Sequence, residues 1–334
     1  MDNYSKTIKR FAEQFAYEPE IKNEDKLVKK DKIIIAGMGG SRLVGDILRM
    51  WKPDKEVIVH SDYNLPAISN ERLKDSLVIA NSYSGNTEET VDAALKAIGL
   101  GLSLAVVATG GKLIDIAKEN DLPYVQVPAD RLPARSDLGH DLMAILKIIG
   151  DADGLAEASL LSSLDPEGSK DEGESLAQSL ANKIPVIYTS ERNMELGYVW
   201  KVIMNETAKV PAFCNRFPEL NHNEIAGFEN SDLSKNFHFI FLHDVDDDRI
   251  RGVGHRPLLG NSVGRIGLRM EKLDELYGKV DLPVTKLELK GESHLKKIFS
   301  SVILAHWTAY NLAKNYKVDP EKTEIIEEFK KSLA

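Results

Sequence analysis

Short apolar runs alternate along the chain with segments whose apolar residues repeat at helical spacing. After an N-terminal helical stretch to about Lys30, the runs are Lys32 to Ala36, Glu56 to His60, Leu77 to Ala80, Ser103 to Ala108 and Tyr124 to Val127. The segments with helical spacing are Val44 to Met50, Thr90 to Ile98, Leu113 to Glu119 and Ser136 to Ile149. Continuous apolar strands that alternate with helices indicate βαβ units and a doubly wound parallel sheet.

The same alternation returns in the second half of the chain. Its elements are strands at Ile184 to Tyr188, Phe237 to Leu242 and Val284 to Leu289, and helices at His294 to Asn315 and Glu321 to Leu333. The segment from Asp151 to Gly173, rich in Ser, Gly, Asp and Glu, begins the second half. We therefore expect an α/β protein with two doubly wound parallel-sheet domains, residues 1–150 and 151–334, and a C-terminal helix.

The two halves read as weak repeats of one another. The run that ends at Ala36 is followed by Gly-Met-Gly-Gly-Ser, whereas the run that ends at Tyr188 is followed by Thr-Ser-Glu-Arg-Asn. The second copy has lost the glycines. If the halves are duplicates, only the first keeps an anion-binding loop, and the second supplies other groups of the site.

Composition narrows the class of protein. The chain has 334 residues, 43% of them hydrophobic, and a net charge of −9, which predicts a soluble globular protein with no nucleic-acid partner. Its one cysteine, Cys214, excludes an intramolecular disulfide and favours a reducing compartment. The chain has no apolar run near the ~18 residues of a membrane span, and its N-terminus does not resemble a signal peptide. We expect a cytoplasmic protein with a small substrate and no membrane partner.

The segment from Asn81 to Thr90 is the first candidate for chemistry. It delivers three hydroxyl residues, Ser82, Ser84 and Thr87, from the end of an apolar run to the start of a helix. Helix N-termini offer unpaired N–H groups and the positive end of a dipole, so this arrangement suits a phosphate. The alternative is a capped turn, with Asn86 as N-cap and Glu89 closing a capping box. Both can hold together.

A glycine-rich loop, Gly37 to Ser41, lies between the first strand and the next helix. Glycines there let the backbone approach an anion, and Ser41 can cap the helix or donate to the ligand. The rival interpretation, a dinucleotide-binding loop, needs a further glycine where Arg42 stands, although Asp62 lies about where a ribose-binding acid would. Two hydroxyl-bearing loops favour a compact sugar phosphate.

Five motifs in this order resemble the bifunctional phosphoglucose/phosphomannose isomerase family, whose chains hold two sugar isomerase (SIS) domains. They are Gly-Met-Gly-Gly-Ser, Ser-Tyr-Ser-Gly-Asn-Thr-Glu-Glu-Thr, Pro133-Ala134-Arg135, Asn205-Glu206-Thr207 and Asn221-His222-Asn223-Glu224-Ile225. The resemblance implies two α/β sandwich domains and a homodimer. It also implies conversion of glucose 6-phosphate or mannose 6-phosphate to fructose 6-phosphate through an enediolate, without a metal or cofactor.

The resemblance also implies a role for each site residue. Glu206 would be the base that moves a proton between C1 and C2, and Arg135 would stabilise the enediolate. His222 and Lys330 would open the sugar ring, with Lys331 an open alternative to Lys330. The substrate phosphate would be bound by Gly39, Gly40, Ser41, Ser82, Ser84 and Thr87.

The chemistry agrees with these residue types. A partly buried carboxylate is a suitable base for carbon-bound protons, an arginine keeps its charge beside an oxyanion, and histidine exchanges protons near neutral pH. From position alone, Glu206 could be a solvated helix residue, and His222 could bond the backbone of a turn. Arg135 could pair with Asp137. We expect His140 on a helix surface or at a partner contact, and Cys214 in packing.

The chain departs from the family pattern at two places, and three other functions remain as alternatives. Arg42 stands where the family has a glycine, and residues 252–264 read as an insertion. The alternatives are a non-catalytic sugar-phosphate sensor, another phosphosugar isomerase of the same fold, and a nucleotide-binding dehydrogenase. The preference between glucose and mannose, and whether His222 acts across a dimer interface, are also open.

Overall fold

The computed structural model describes residues 2–129, 133–248 and 265–333. The predicted insertion at residues 252–264 lies outside the described residues. The chain forms two compact units: a first unit, Thr7–Asp165, and a second unit, Met1–Lys6 with Pro166–Ala334. The division falls after Asp165, later than the sequence boundary at 150. The helix that follows Gly150 contacts the helix before it, which places residues 152–159 with the first unit.

A parallel five-stranded sheet forms the centre of the first unit. Its strand order is β2-β1-β3-β4-β5, and its members are β1 (Lys32–Ala36), β2 (Glu56–His60), β3 (Ser76–Asn81), β4 (Ser103–Ala108) and β5 (Tyr124–Gln126). Every residue of β3 is buried, because a central parallel strand is covered on both faces. The predicted doubly wound parallel sheet is confirmed.

Helices precede, connect and follow these strands. In chain order they are α1 (Asp2–Lys9), α2 (Gly39–Trp51), α3 (Asn70–Lys74), α4 (Glu88–Gly99), α5 (Gly111–Glu119), α6 (Leu138–Ile149) and α7 (Ala152–Ser159). The part of α1 up to Lys6 belongs to the second unit. The predicted N-terminal helical stretch to Lys30 is wrong beyond its first part, since α1 ends at Lys9 and 3-10 turns follow at Phe11–Ala16 and Glu24–Lys26. Tyr17 is extended after the first turn, and Pro19, two residues on, disfavours continuation of a helix.

The second unit repeats the pattern with four parallel strands. The order is β7-β6-β8-β9, from β6 (Ile184–Ser190), β7 (Phe213–Phe217), β8 (Phe237–His243) and β9 (Val284–Glu288). The sequence did not predict β7, which reads Phe-Cys-Asn-Arg-Phe. A strand at a sheet edge does not need a continuous apolar run, because one side of it stays accessible.

The helices of the second unit are α8 (Lys170–Ser179), α9 (Met194–Ile203), α10 (Ser231–Ser234), α11 (Arg265–Gly278), α12 (His294–Tyr316) and α13 (Glu324–Leu333). Most of α12 is buried, including Trp307 and Phe299, so this helix contributes much of the core of the unit. The predicted C-terminal helix begins at Glu324 rather than Glu321. The side chain of Asp319 accepts from the N–H of Glu321 at 2.9 Å, which makes a turn there.

Candidate functional site

The first anion loop, the segment of residues 37–41 that is predicted to bind an anion, connects β1 to α2 and includes the first three residues of that helix. Gly39 has φ +52°, in the left-handed region that favours glycine, and α2 has no side-chain cap at its N-terminus. A Cβ atom on Gly40 would lie 2.4 Å from the carbonyl carbon of Ala134 and 2.6 Å from the amide nitrogen of Arg135. Gly40 therefore allows the backbone that carries Arg135 to pack directly against the loop.

Ser41 ties this loop to the end of β3. Its Oγ accepts a hydrogen bond from the backbone N–H of Tyr83 at 2.8 Å, and its carbonyl oxygen accepts from Nδ2 of Asn81 at 2.9 Å. Strands β1 and β3 are in parallel register with Ala36 opposite Ala80, so their carboxyl ends meet at one edge. The Ser41 hydroxyl uses a lone pair in the bond from Tyr83 and keeps its proton to donate.

The second anion loop, residues 82–87, leads from β3 into α4. The hydroxyl oxygens of Ser82 and Thr87 lie 2.8 Å apart, and Ser82 is buried while Ser84 is exposed. Gly85 has φ +66°, and a Cβ atom there would lie 1.8 Å from the carbonyl oxygen of Gly110. Both loops follow strands at the point where the strand order reverses, which is where doubly wound sheets bind ligands.

The predicted capping box at α4 is wrong. The helix begins at Glu88 after Thr87, and no side chain caps it. Asn86 does not cap it because its Oδ1 accepts from the N–H of Lys112 at 3.0 Å and its Nδ2 donates to the carbonyl of Ser84 at 3.1 Å. The first turn of α4 thus presents N–H groups that no side-chain cap occupies, as an anion site requires.

Arg135 lies in a 3-10 turn, Ala134–Ser136, with its side chain buried. Gln14 holds this turn: its Nε2 donates to the carbonyl of Ser136 at 2.8 Å, and its Oε1 accepts from the N–H of Gly139 at 2.8 Å. Together with the close packing at Gly40, these bonds bring the segment that carries Arg135 beside the first anion loop. Gly40 and Arg135 are almost a hundred residues apart in the chain, so the sequence alone did not indicate that they lie side by side.

His140 is not a surface residue. It is buried, its Nδ1 lies 2.6 Å from Oδ1 of Asp137, and the Tyr17 ring meets it edge-on with centroids 5.3 Å apart. The expectation of a helix-surface position is therefore wrong. Helix α6 is buried nearly all round, so even its polar positions face other elements.

Arg42 stands where the family that the sequence resembles has a glycine, and its side chain pairs with a residue of its own helix. Its Nε donates to Oδ2 of Asp46 at 2.9 Å, and Asp46 is fully buried. Arg49 reaches the other oxygen of Asp46 at 3.3 Å. The guanidinium group of Arg42 is thus held by an ion pair one turn along α2.

Glu206 lies in a π-helical turn, Met204–Ala208, that continues α9. Such turns are rare and frequently occur at functional sites. Lys209 ends the turn with φ +59°, and its Nζ donates to the carbonyl oxygen of Glu206. Thr207, the next residue, bonds to Tyr4 Oη at 2.8 Å, and that hydroxyl also lies 2.9 Å from Nδ1 of His306. Buried hydrogen bonds therefore fix the turn that presents Glu206.

A cavity of about 500 Å³ lies beside Glu206 within the second unit. The segment before α13 and the start of that helix form its opposite wall. Its lining includes two lysines that the sequence did not single out, Lys209 and Lys322. The position of Lys209, three residues after Glu206, could have indicated that the two lie close together. Its left-handed backbone conformation could not be predicted from the sequence.

His222 and Lys330 do not line this cavity. His222 ends a 3-10 turn, Glu219–His222, and is exposed. Lys330 lies in the last turn of α13, where its Nζ donates to Oε1 of Glu327 at 2.9 Å on the exposed face. Within the second unit, the structure brings Glu206 together with Lys209 and Lys322, and leaves His222 and Lys330 apart from them.

The strand-order reversal of the second unit holds an ion cluster where the first unit has its anion loops. Asp244 follows β8 directly, as Ser82 follows β3, and it is fully buried. Its carboxylate accepts from Nζ of Lys297 at 2.5 Å and from Nη1 of Arg192 at 2.9 Å. Burial alone would raise the pKa of Asp244, but these donors lower it. The cationic groups at this position thus pair with the protein's own carboxylate.

Three further observations concern chemistry that is not assigned to the site. Burial raises the pKa of the Cys214 thiol, which makes it a poor nucleophile. Among the described residues, no cluster of His, Cys, Asp and Glu side chains is grouped so as to hold a metal ion. Over the same part of the chain, no helix combines the length and apolar character needed to cross a membrane.

The chain is similar over its full length to known proteins. The bifunctional phosphoglucose/phosphomannose isomerase of Aquifex aeolicus (strain VF5) is 32% identical over 340 residues, covering 100% of this chain and 99% of the relative. The protein of the same name from Caldicellulosiruptor bescii is 33% identical over 323 residues, covering 91% of this chain and 90% of the relative.

A family model and a solved structure agree with these relatives. The model described as the bacterial phospho-glucose isomerase C-terminal SIS domain matches residues 169–333. A hypothetical protein from Thermus thermophilus superposes with a TM-score of 0.68 at 15% identity, covering 99% of this chain and 88% of that chain. At this identity the structural likeness concerns the fold alone.

Proposed function

We propose the function of this chain from one premise: it belongs to the bifunctional phosphoglucose/phosphomannose isomerase family. Its proposed activity is the reversible interconversion of glucose 6-phosphate or mannose 6-phosphate with fructose 6-phosphate, an intramolecular oxidation and reduction. The observation that carries this function is the 32% identity to a relative of that name over 100% of this chain and 99% of the relative. The two hydroxyl-bearing anion loops support it, because the substrates share a phosphate group.

In this proposal the first unit binds the substrate phosphate. Ser41, Ser82, Ser84 and Thr87 donate hydroxyl hydrogen bonds, with Ser82 and Thr87 giving up the bond between them, and Gly39 and Gly40 let the backbone approach the anion. The uncapped first turns of α2 and α4 add N–H donors and the positive ends of two helix dipoles. Phosphate binding of this kind anchors the substrate and leaves the reacting carbons to other groups.

Glu206 is the proposed base. It takes the proton from C2 of the open-chain aldose and returns it to C1, with an enediolate between the two steps, while the hydroxyl proton passes from O2 to O1. That intermediate is planar at C2, so return of the proton to either face of C2 yields glucose or mannose. One base serves both substrates in this proposal because rotation about the C2–C3 bond lets the enediolate present either face of C2 to it. Arg135 is proposed to stabilise the enediolate charge, because a guanidinium group stays protonated.

His222 and Lys330 are proposed to open the sugar ring by moving protons at the ring oxygen and the C1 hydroxyl. A homodimer is the proposed working unit, and the cytoplasm the proposed location. Proton transfer between adjacent carbons requires a base and a fixed cation, so we propose that the reaction needs no metal and no cofactor. The alternatives are a sugar-phosphate sensor and another phosphosugar isomerase of the same fold.

An isomerase assay with a chelator tests this function. Purified protein is incubated with fructose 6-phosphate and an excess of EDTA, and glucose 6-phosphate and mannose 6-phosphate are quantified separately. We expect both aldoses to form. If the folded protein binds fructose 6-phosphate and forms neither aldose, it is a sensor. If activity disappears with EDTA and returns with a divalent ion, the metal-independent mechanism is wrong.

The variant Glu206→Gln tests the base within the same assay. The amide keeps the size of the side chain and cannot accept the proton, so we expect kcat to fall by a factor of about 10² to 10⁴ with fructose 6-phosphate binding retained. Glu275→Gln is the matched control, because Glu275 is an exposed glutamate of the second unit that pairs with Lys272. Full activity in Glu206→Gln would contradict the assignment of the base.

A further inference from the structure

A buried acid lies behind the first anion loop. Asp141, in α6, is 3% exposed, and its Oδ2 accepts a hydrogen bond from Nδ2 of Asn81 at 3.0 Å. The same Nδ2 donates to the carbonyl oxygen of Ser41 at 2.9 Å. A chain of two hydrogen bonds therefore runs from α6 through the last residue of β3 to the end of the first anion loop.

The buried surroundings of Asp141 make a carboxyl group there unfavourable in free energy. Burial and the neighbouring Asp137 raise its pKa well above the ordinary value, although the bond from Asn81 lowers it. Its Oδ1 has no hydrogen-bond partner among the described residues. A leucine or methionine would fill the same space without this cost. Packing alone therefore does not account for an acid at this position.

The Asn81 amide has one orientation that serves both bonds. Its Nδ2 supplies two hydrogens, one for the Ser41 carbonyl and one for Asp141. The Ser41 carbonyl and the Asp141 carboxyl group both accept from Nδ2, so the two acceptors together favour this orientation over one with Oδ1 and Nδ2 exchanged. The exchanged amide would place an oxygen against the Ser41 carbonyl, and two acceptors repel each other. The Ser41 peptide would then shift, and with it the loop that precedes α2.

We propose that Asp141 is a positioning residue for the substrate phosphate, acting through Asn81 on the backbone of Ser41. This inference rests on the proposed function, because it assigns the first anion loop to phosphate. It adds a residue from α6 that touches neither the phosphate nor the reacting carbons. Asp141 thereby holds the Ser41 peptide in place, and the hydroxyl group of Ser41 is held separately by the Tyr83 N–H.

Two substitutions of Asp141 test the proposal. Asp141→Ala removes the acceptor, so we expect KM for fructose 6-phosphate to rise about tenfold while kcat stays within about twofold. Asp141→Asn keeps an acceptor oxygen in place, so we expect its KM to match the wild type. Titration calorimetry with inorganic phosphate should show the same order of affinities, and this measurement does not depend on turnover.

Two further variants separate positioning from simple destabilisation. Leu146→Ala is the matched control, because Leu146 lies in the same helix, is fully buried and has no bond to Asn81. It should lower the melting temperature and leave KM unchanged. Asn81→Ala should raise KM as Asp141→Ala does. The double variant should add little to either single variant, because both act through one amide.

The outcomes are distinct. An unchanged KM and phosphate affinity in Asp141→Ala would overturn the proposal, and so would an Asp141→Asn variant that loses as much phosphate affinity as Asp141→Ala. If Asp141→Ala does not fold, Asp141→Ser takes its place, with the same expectation of weakened phosphate binding. Failure of the wild-type protein to bind inorganic phosphate would instead contradict the phosphate site itself, and with it the proposed function.

Discussion

The carboxyl group of Asp141 is buried next to a second acid, Asp137, and burial is the larger cause of its raised pKa. At the scale of single residues this raised pKa has a consequence for stability. The folded chain keeps a proton on Asp141 over a pH range in which the unfolded chain has released it. The free energy of unfolding therefore falls as pH rises from the ordinary aspartate pKa of about 3.9 toward the folded value.

Asp141→Asn should remove this pH dependence. One proton held only by the folded state contributes a slope of about 1.4 kcal/mol per pH unit in that window. We expect the stability of the Asp141→Asn protein, relative to wild type, to increase with pH by up to that slope. Denaturant titrations at several pH values above about 4 measure the difference between the two proteins.

Asp319→Asn is the control with the opposite sign. Backbone N–H donors, foremost that of Glu321, lower the pKa of Asp319, so its ionised form stabilises the folded chain above the unfolded pKa. That contribution is lost as pH falls through the folded pKa. Asp319→Asn should therefore be less stable than wild type at neutral pH, with the difference vanishing in acid. A stability difference for Asp141→Asn that does not change with pH would contradict a neutral Asp141.

At the scale of elements, one ion cluster connects β8 to the start of α12. Lys297 lies in the first turn of α12 and contacts both Asp244 and Asp246. Burial disfavours its charge, yet the two carboxylates raise the pKa of Lys297 above the ordinary value. The cluster occupies the strand-order reversal of the second unit, and both of its cations, Lys297 and Arg192, pair with the protein's own carboxylates, so we infer no anion site there.

Lys297→Met should cost about 3–5 kcal/mol of the free energy of unfolding, because it leaves the fully buried Asp244 without its closest cation. Lys290→Met is the matched control, since Lys290 pairs with Glu172 at 2.8 Å on the surface. An exposed pair contributes about 0–1 kcal/mol. Urea unfolding of the two variants measures the contrast, and equal losses would show that burial of the Asp244 pair does not matter.

At the scale of the whole molecule, α13 leaves apolar side chains accessible. Ile325 is 79% exposed, Phe329 63% and Leu333 62%, all on the helix that ends the chain. Apolar groups at such positions often mark a contact with another chain. This supports the proposed homodimer.

Light scattering tests the homodimer directly. We expect a particle of twice the chain mass at concentrations used for the isomerase assay. Replacing Phe329 with Asp should lower the dimer fraction if α13 lies in the interface, because a charge would then be buried without a partner. Leu160→Asp is the control, at a leucine of the first unit that is 70% exposed. A monomer with full isomerase activity would contradict a dimeric working unit.

Much of the fold was predictable from periodicity. The five apolar runs of the first half became β1 to β5, and three runs of the second half became β6, β8 and β9. The edge strand β7 was missed because its middle is polar, and the N-terminal helix was predicted too long. The capping box at α4 was wrong because Asn86 bonds across the loop to Lys112, a partner that local sequence does not reveal.

The sequence by itself determined the parallel α/β class and the family, and it predicted the two anion loops, because these depend on residue types and on their order along the chain. The tertiary structure decided which distant groups meet. Gly40 packs against the backbone of Arg135, Asp141 reaches Ser41 through Asn81, and Lys209 and Lys322 line the cavity beside Glu206. Such contacts depend on how helices pack on a sheet, and the spacing of residues along the chain does not reveal that packing.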